Sequence, residues 1–384
     1  MEQKNQKVLI FSLTYLPFLG GAEVAVKEIT DRLGEVHFTM ITARLDKNLS
    51  KQARIGNIDI YRLGFGWPNL DKYIFTFFGF LKACQLQRRH HYMTVWPIMA
   101  AYASFAFLFK IFFPKVKVVL TLQEGDPLAY ITNLKRFKFF KPFYKFYFKQ
   151  VNKVQTISNF LADWAKTLGV AKEKIVVVPN GVDVEKFNQQ RIINAQNTKY
   201  NINGKKVILT DSRLEKKNGV ADLIRALAIL KETNDDITLL VIGDGTEKIA
   251  LNRLAVELGL TDDHLKFLGK IPYDEIQNYY ALADVFARPS LSEGFGNVFI
   301  QAMATGIPVI ATPVGGIVDF LKDGETGWFC EVNNPKSIAE KIKYVLAEDN
   351  QSEVKRVADE AKNMVTKKYS WGLIAQQMKD ILIF

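Results

Sequence analysis

The chain has 384 residues, 48% of them hydrophobic and 24% charged, enough for two domains or three, each able to bury a core without disulfides or metal. Cys84 and Cys330 are too few and too far apart in sequence for a disulfide framework or a zinc site, which argues against redox chemistry and makes a reducing cytoplasm the expected setting. The net charge of +11 is one-sided: 26 Lys and Arg face 12 Asp and Glu through Asn180, and 25 face 28 beyond it, so the first half is the part that calls for an anionic partner.

The chain opens with KVLIFSLTYLPFLGGA, basic residues and then an apolar run, as in a secretory signal. Its alternation into a turn at Gly20 and Gly21 and an amphipathic helix, AEVAVKEITDRLG, reads instead as the first strand of an α/β domain. Strand-like HFTMIT and IDIYRLG follow, then MTVW ahead of a long helix. Within TVWPIMAAYASFAFLFKIFF, Pro97 and Lys110 bracket twelve residues. As a helix these reach about 18 Å against a hydrocarbon core of about 30 Å, so a short strand and a buried or surface-dipping helix are expected rather than a membrane span. KVVLTL leads to TLQEGDP, and then Leu134–Lys153, LKRFKFFKPFYKFYFKQVNK, holds seven Lys or Arg, eight Phe or Tyr and no acid. That mixture suits the headgroup layer of an anionic membrane; the alternative is a helix with its aromatics in the core and its lysines solvated. Single-stranded nucleic acid attracts the same residue types, but no nucleic-acid fold signature accompanies them, so no nucleic-acid partner is expected. KVQTIS, NFLADWAKTLG and KIVVVPNG complete an alternation that implies crossover connections and a mostly parallel, doubly wound sheet.

Residues 182–203 are polar and without sustained period, and read as a linker between a first domain, 1–181, and a second, 204–365. In the second, KVILTDSRL is a strand and loop, and Val220, Leu223, Ile224, Leu227 and Leu230 mark one helical face. ITLLVIGDG, KFLGK and VFARPS add strands, and residues 366–384 form a terminal amphipathic helix expected to cross back to the first domain. Two such sheets imply a cleft, with ligands beyond the carboxyl ends of the strands.

The most informative stretch is VFARPSLSEGFGNVFIQAMATGIPVIATPVGG. It predicts a strand, a loop, and a helix that starts near Asn297 and stops at Gly306, with Pro308 just beyond. The amides of Gly294, Phe295, Gly296 and Asn297 then point out of a helix N-terminus, which attracts anions, while the glycines admit a ligand close to the backbone. Glu293 stands beside that position, able to accept hydrogen bonds from sugar hydroxyls, and Gln301 lies two helical turns deeper.

This run resembles the signature of glycosyltransferase family 4, retaining enzymes of the GT-B fold, whose pattern is Glu, seven residues, and a second Glu. Here the two positions are Glu293 and Gln301. The resemblance extends over nearly the whole chain: Gly20-Gly21-Ala22-Glu23, TLQEGDP from Thr121 to Pro127, PNGVD from Pro179 to Asp183, SRLEKKNG from Ser212 to Gly219, and GDG from Gly243 to Gly245. It implies an α/β fold of two Rossmann-like, doubly wound parallel-sheet domains facing across a cleft. It also implies transfer of a sugar from a nucleotide diphosphate donor with no cofactor.

By the same resemblance, Arg213 and Lys217 clamp the donor pyrophosphate and, with Glu293, form the catalytic set. Lys216 is the alternative to Lys217, because the family more often carries its Lys directly before the Gly, where this chain has Asn218. Two fixed cations suit a leaving diphosphate without a metal, and no Asp-x-Asp is present to hold one, so metal independence is expected. Gly20, Gly21, Gly243, Gly269, Lys270, Gly294, Phe295, Gly296, Asn297 and Gln301 make up the donor site, with Phe267 to Ile271 near the base and Gln301 at the ribose. Gln123 stands where many relatives have His, leaving Glu124 and Asp126 to grip the acceptor. The expected protein is a cytoplasmic transferase, peripheral on the inner membrane face through Leu134–Lys153, with a UDP- or GDP-linked donor and a lipid-linked or cell-envelope glycan acceptor. A nucleotide-sugar epimerase or hydrolase of the same fold, or a catalytically silent binding subunit, remains as the alternative.

Overall fold

The computed structural model describes residues 6–126, 146–188, 200, 202, 204–233 and 236–383. The chain divides into two compact units: Met1–Glu124 with Leu128–Asn180 and Trp371–Phe384, and Gly125–Pro127 with Gly181–Ser370.

The first unit is built on an eight-stranded sheet in the order β3-β4-β2-β1-β5-β6-β7-β8. Its strands are β1 (Gln6–Phe11), β2 (Val36–Ala43), β3 (Gln52–Ile55), β4 (Ile58–Leu63), β5 (Thr94–Pro97), β6 (Lys117–Leu122), β7 (Lys153–Thr156) and β8 (Ile175–Val177). All pairings are parallel except the hairpin of β3 with β4; of the two, the sequence reading missed only the edge strand β3, where Gln52 and Arg54 are polar and exposed. In β1 the two-residue period sends Val8 and Ile10 to one core and Leu9 and Phe11 to another, so both faces are covered and the strand reads as an unbroken apolar run. The core on the Val8 face is completed by Trp371, Ile374 and Met378 of the Trp371–Leu382 helix. On the other face lie the Pro68–His90 and Ala103–Phe112 helices, through Phe75, Ala83, Phe105 and Phe109.

The second unit carries six parallel strands, β9 (Lys206–Asp211), β10 (Ile237–Ile242), β11 (Leu265–Gly269), β12 (Val285–Arg288), β13 (Val309–Ala311) and β14 (Trp328–Phe329), ordered β11-β10-β9-β12-β13-β14. Counted from β9, that is the 3-2-1-4-5-6 order of a dinucleotide-binding sheet, and its direction reverses between β9 and β12. The Val220–Lys231 helix buries Val220, Leu223, Ile224, Leu227 and Leu230, the face its spacing predicts. Each such side chain contributes about 1.5–3 kcal/mol of apolar burial.

Of the basic-aromatic segment Leu134–Lys153, residues 134–145 lie outside the described residues, as do 189–199, 201 and 203 of the 182–203 linker. Among the described residues no helix is long and apolar enough to cross a membrane. Ala103–Phe112 is a ten-residue helix after the short strand β5.

Candidate active site

The carboxyl ends of β9 and β12 release adjacent loops, and glycines bring them together. Gly219 closes the turn Lys216–Asn218 with φ +70, and a Cβ there would stand 1.9 Å from the Pro289 carbonyl oxygen. Gly243, with φ +120, would put a Cβ 1.8 Å from the Ser212 oxygen, which brings in the loop after β10. Its N–H donates to the Gly269 carbonyl at 2.8 Å. Only residues without a side chain permit such approaches at these backbone angles.

Glu293 sits at the meeting point, 8% exposed. Its Oε1 pairs with Arg288 Nη2 at 2.5 Å and accepts from Ser290 Oγ at 3.1 Å. The same Arg288 nitrogen donates to Asn218 Oδ1 at 2.6 Å, and Asn218 Nδ2 donates to the Arg213 carbonyl. A buried chain of polar contacts thus ties the carboxylate to the backbone of the cationic loop. The Glu293 carbonyl accepts from Gly316 N–H at 3.1 Å, and Gly315, at φ +56, leaves room for it where a Cβ would lie 1.8 Å away. The second glycine pair of the motif therefore fixes the backbone of its carboxylate.

The following helix runs Asn297–Thr305 from Gly296 at φ +96 to Gly306 at φ +83. Gln301, buried, accepts from Tyr280 Oη at 3.3 Å, and the same hydroxyl lies 3.0 Å from Asp211 Oδ2. Burial pushes the Asp211 carboxyl up to about 6, against the Tyr280 hydrogen bond and the charge of Arg288, which pull it down. The Tyr280 hydroxyl is held well above its usual range, by burial first and Asp211 second. A Glu at position 301 would set a second carboxylate against Asp211 with one hydroxyl proton between them; the neutral amide avoids that repulsion.

The second unit therefore brings Arg213, Gly243, Gly269, Glu293, Gly294, Gly296, Asn297 and Gln301 to the carboxyl ends of its strands. Arg213 is exposed, as is Lys270 just after β11. Lys217 Nζ is held by the Gly125 carbonyl at 2.8 Å and by Asp126 Oδ1 at 2.7 Å, so the expected phosphate cation and one expected acceptor carboxylate form a pair. The Phe295 ring is 1% exposed and packs against Phe320 and Tyr369, which leaves for a ligand its backbone amide, the group the sequence reading assigned. In the first unit, Glu124 is buried and its Oε1 accepts from Ala100 N–H at 2.6 Å, which commits that oxygen to the turn after β5. Gly20 and Gly21 start the Gly21–Asp31 helix, and Gly20 has a local reason as well, since a Cβ would lie 2.7 Å from Glu23 Oε2. The sequence reading missed Arg288, Tyr280 and Asp211. The visible signal for Arg288 was a lone cation closing the apolar strand VFAR.

Residues 19–186 match the model of the family described as Glycosyltransferase Family 4, and residues 192–364 that of Glycosyl transferases group 1. The chain belongs to glycosyltransferase family 4. Its relatives include N-acetyl-alpha-D-glucosaminyl L-malate synthase of Bacillus anthracis, 27% identical over 391 residues, which span 97% of this chain and 96% of that protein. GDP-mannose-dependent alpha-(1-6)-phosphatidylinositol monomannoside mannosyltransferase of Mycobacterium tuberculosis is 29% identical over 213 residues, covering 53% of this chain and 54% of the relative, about half its length. Among solved structures, Anabaena HepE in complex with UDP and glucose superposes with a TM-score of 0.78 at 20% identity, covering 98% of this chain and 99% of that one. The fold is GT-B, with two Rossmann-like domains.

Proposed function

We propose that this chain is a retaining glycosyltransferase that moves a hexose from a UDP- or GDP-linked donor to a lipid-linked or cell-envelope glycan acceptor, without a metal. The observation that carries the reading is the hydrogen-bonded chain from Glu293 through Arg288 and Asn218 to the Arg213 backbone, at the switch point between β9 and β12. It couples a sugar-binding carboxylate to a phosphate-binding loop. The names of the relatives support both bases under consideration, one being GDP-mannose-dependent and the HepE complex containing UDP.

In this reading the amides of Gly294 to Asn297 and the side chains of Arg213 and Lys217 receive the diphosphate. Gly243, Gly269 and Lys270 flank the base, and Gln301 takes the ribose. Glu293 accepts hydrogen bonds from the donor sugar, with Oε1 already anchored by Arg288 and Ser290. The anomeric carbon–phosphate oxygen bond breaks as the acceptor hydroxyl attacks on the same face, and the leaving phosphate oxygen takes the hydroxyl proton. Catalysis then consists of positioning and of stabilising charge on the leaving group. Asp126 grips the acceptor, and Glu124 shapes the turn beside it. Association with the inner membrane face through Leu134–Lys153 would bring the enzyme to a lipid-borne acceptor.

Isothermal titration with UDP, GDP and ADP in the presence of a chelator tests the donor site. Selective binding of one nucleotide, followed by sugar transfer from its conjugates, is the expected result. Binding that returns only with a divalent metal would overturn the two-cation clamp. Donor consumption without any acceptor would favour an epimerase or hydrolase, and binding with no turnover a silent subunit.

A further inference from the structure

The Pro68–His90 helix carries apolar residues on two opposite sides. Phe75, Gly79, Ala83 and Leu86 are buried toward the sheet. The opposite side presents Leu70, Tyr73, Phe77 and Leu81, which recur at three- and four-residue steps and are all exposed, Tyr73 to 78% and Phe77 to 64%. Phe65 and Trp67 extend the stripe ahead of the helix, and Ile111 and Phe112 of the Ala103–Phe112 helix widen it, each at least 58% exposed. Single exposed apolar residues are ordinary on a protein surface, but a continuous band of large aromatics requires a partner.

The charges around the band identify that partner. From Phe65 to Lys117 there are seven Lys or Arg and one acid, Asp71. Asp71 is buried, and its carboxylate is consumed by the N–H groups of Phe65, Gly66 and Trp67 at 2.7–2.9 Å, so it neutralises no surface cation. Arg88 and Arg89 line an open groove of 490 Å³ together with Phe80, Leu81, Cys84 and Phe112. Apolar side chains beside two guanidinium groups suit the junction of an acyl chain and its phosphate. Aromatic rings interleaved with cations, on a helix with no acid on its outer face, are the pattern of an element lying in the plane of a bilayer surface.

We propose that the outer face of the Pro68–His90 helix, with the end of the Ala103–Phe112 helix, is a docking surface for an anionic lipid bilayer. Arg88 and Arg89 take lipid phosphates, while Tyr73, Phe77 and Leu81 enter the headgroup boundary. The inference rests only on the peripheral-membrane part of the proposed function, and it assigns the contact to a surface separate from Leu134–Lys153.

Co-sedimentation of the full chain with phosphatidylcholine vesicles, with and without phosphatidylglycerol, tests it. Wild type is expected to bind the anionic vesicles at low salt and to weaken as salt rises. The variant Tyr73→Ser/Phe77→Ser/Leu81→Ser is expected to lose at least about tenfold in apparent affinity. Arg88→Glu/Arg89→Glu is expected to lose the preference for anionic lipid. Both variants should keep the thermal midpoint and nucleotide binding of wild type, since the replaced side chains are exposed. A third variant, with Lys135, Lys138, Lys141 and Lys145 changed to Ala, separates the two surfaces. If only that variant loses binding, this inference is overturned and the peripheral reading stands. If wild type binds no vesicle at low salt, both fall. If the stripe variant abolishes a dimer seen by sedimentation while vesicle binding is unchanged, the partner is a second copy, and the lipid assignment is overturned.

Discussion

Arg288 and Glu293 form an ion pair with less than a tenth of either residue exposed. Removing two charges from water costs several kcal/mol each, and the mutual attraction offsets this only while both partners are present. Arg288→Leu is therefore expected to destabilise the second unit by about 3–5 kcal/mol in urea unfolding, because Glu293 stays buried without its cation. Glu293→Gln keeps the shape and an oxygen for Ser290, and is expected to cost less in stability while lowering sugar transfer by about a hundredfold, as the loss of a charged contact to the reacting sugar does. Equal stability losses in the two variants would contradict the assignment. Asp211 gives a pH signature. Its folded-state value near 6 lies above the 3.8 of an ordinary aspartate, so the folded protein holds a proton that the unfolded chain has released. The stability tied to that proton is fully present below about pH 4 and is lost as pH rises through 6, a fall on the order of 1–3 kcal/mol. Asp211→Asn should flatten unfolding free energy between pH 4 and 7 and raise it at pH 7; curves parallel to wild type would refute the claim.

The Asn297–Thr305 helix was legible in advance because its ends are written in residues with few conformational options, Gly296, Gly306 and Pro308. The Val220–Lys231 helix was legible for a different reason, a single apolar face against one core. The Pro68–His90 helix was not, since apolar residues on both sides erase the 3.6-residue contrast on which such readings depend. Within the motif the glycines could be counted, but their partners could not: that Gly315 makes room for the Glu293 carbonyl is a contact across 22 residues. Gly315→Ala is expected to cost about 1–3 kcal/mol, because it adds both a strained φ and a collision with backbone. It should also weaken nucleotide binding by about tenfold, equivalent to about 1.4 kcal/mol. Gly34→Ala, where a Cβ meets nothing within 4 Å, serves as the control in the same titration. An unchanged affinity in Gly315→Ala would mean that the glycine pair does not hold the carboxylate in place.

The alternation of strands and helices made two doubly wound sheets readable, since a chain that repeats strand, helix, strand has few other ways to cover both faces. Side-chain pairings across the second sheet were not readable, because Asp211, Tyr280 and Gln301 come from three separate elements and meet only once the sheet is assembled. The Trp371–Leu382 helix ties the far end of the sequence to the first sheet: Trp371 is 2% exposed in the β1 core, Thr94 Oγ1 donates to the Leu382 carbonyl at 2.6 Å, and Lys379 pairs with Glu35 at 2.6 Å. Trp371→Ala is expected to cost about 3–5 kcal/mol. The loss should fall on the first unit alone, lowering one calorimetric transition and leaving the other in place; a shift of both would show that the units unfold as one. The position of this helix in the chain also bears on biosynthesis. Residues 371–382 are translated only after everything from Gly181 to Ser370, so the ribosome delivers a complete second unit before a complete first one. The second unit can thus be complete while the first sheet still lacks its last helix, and the apolar face that the Gly21–Asp31 helix covers only in part stays partly open until the Trp371–Leu382 helix emerges.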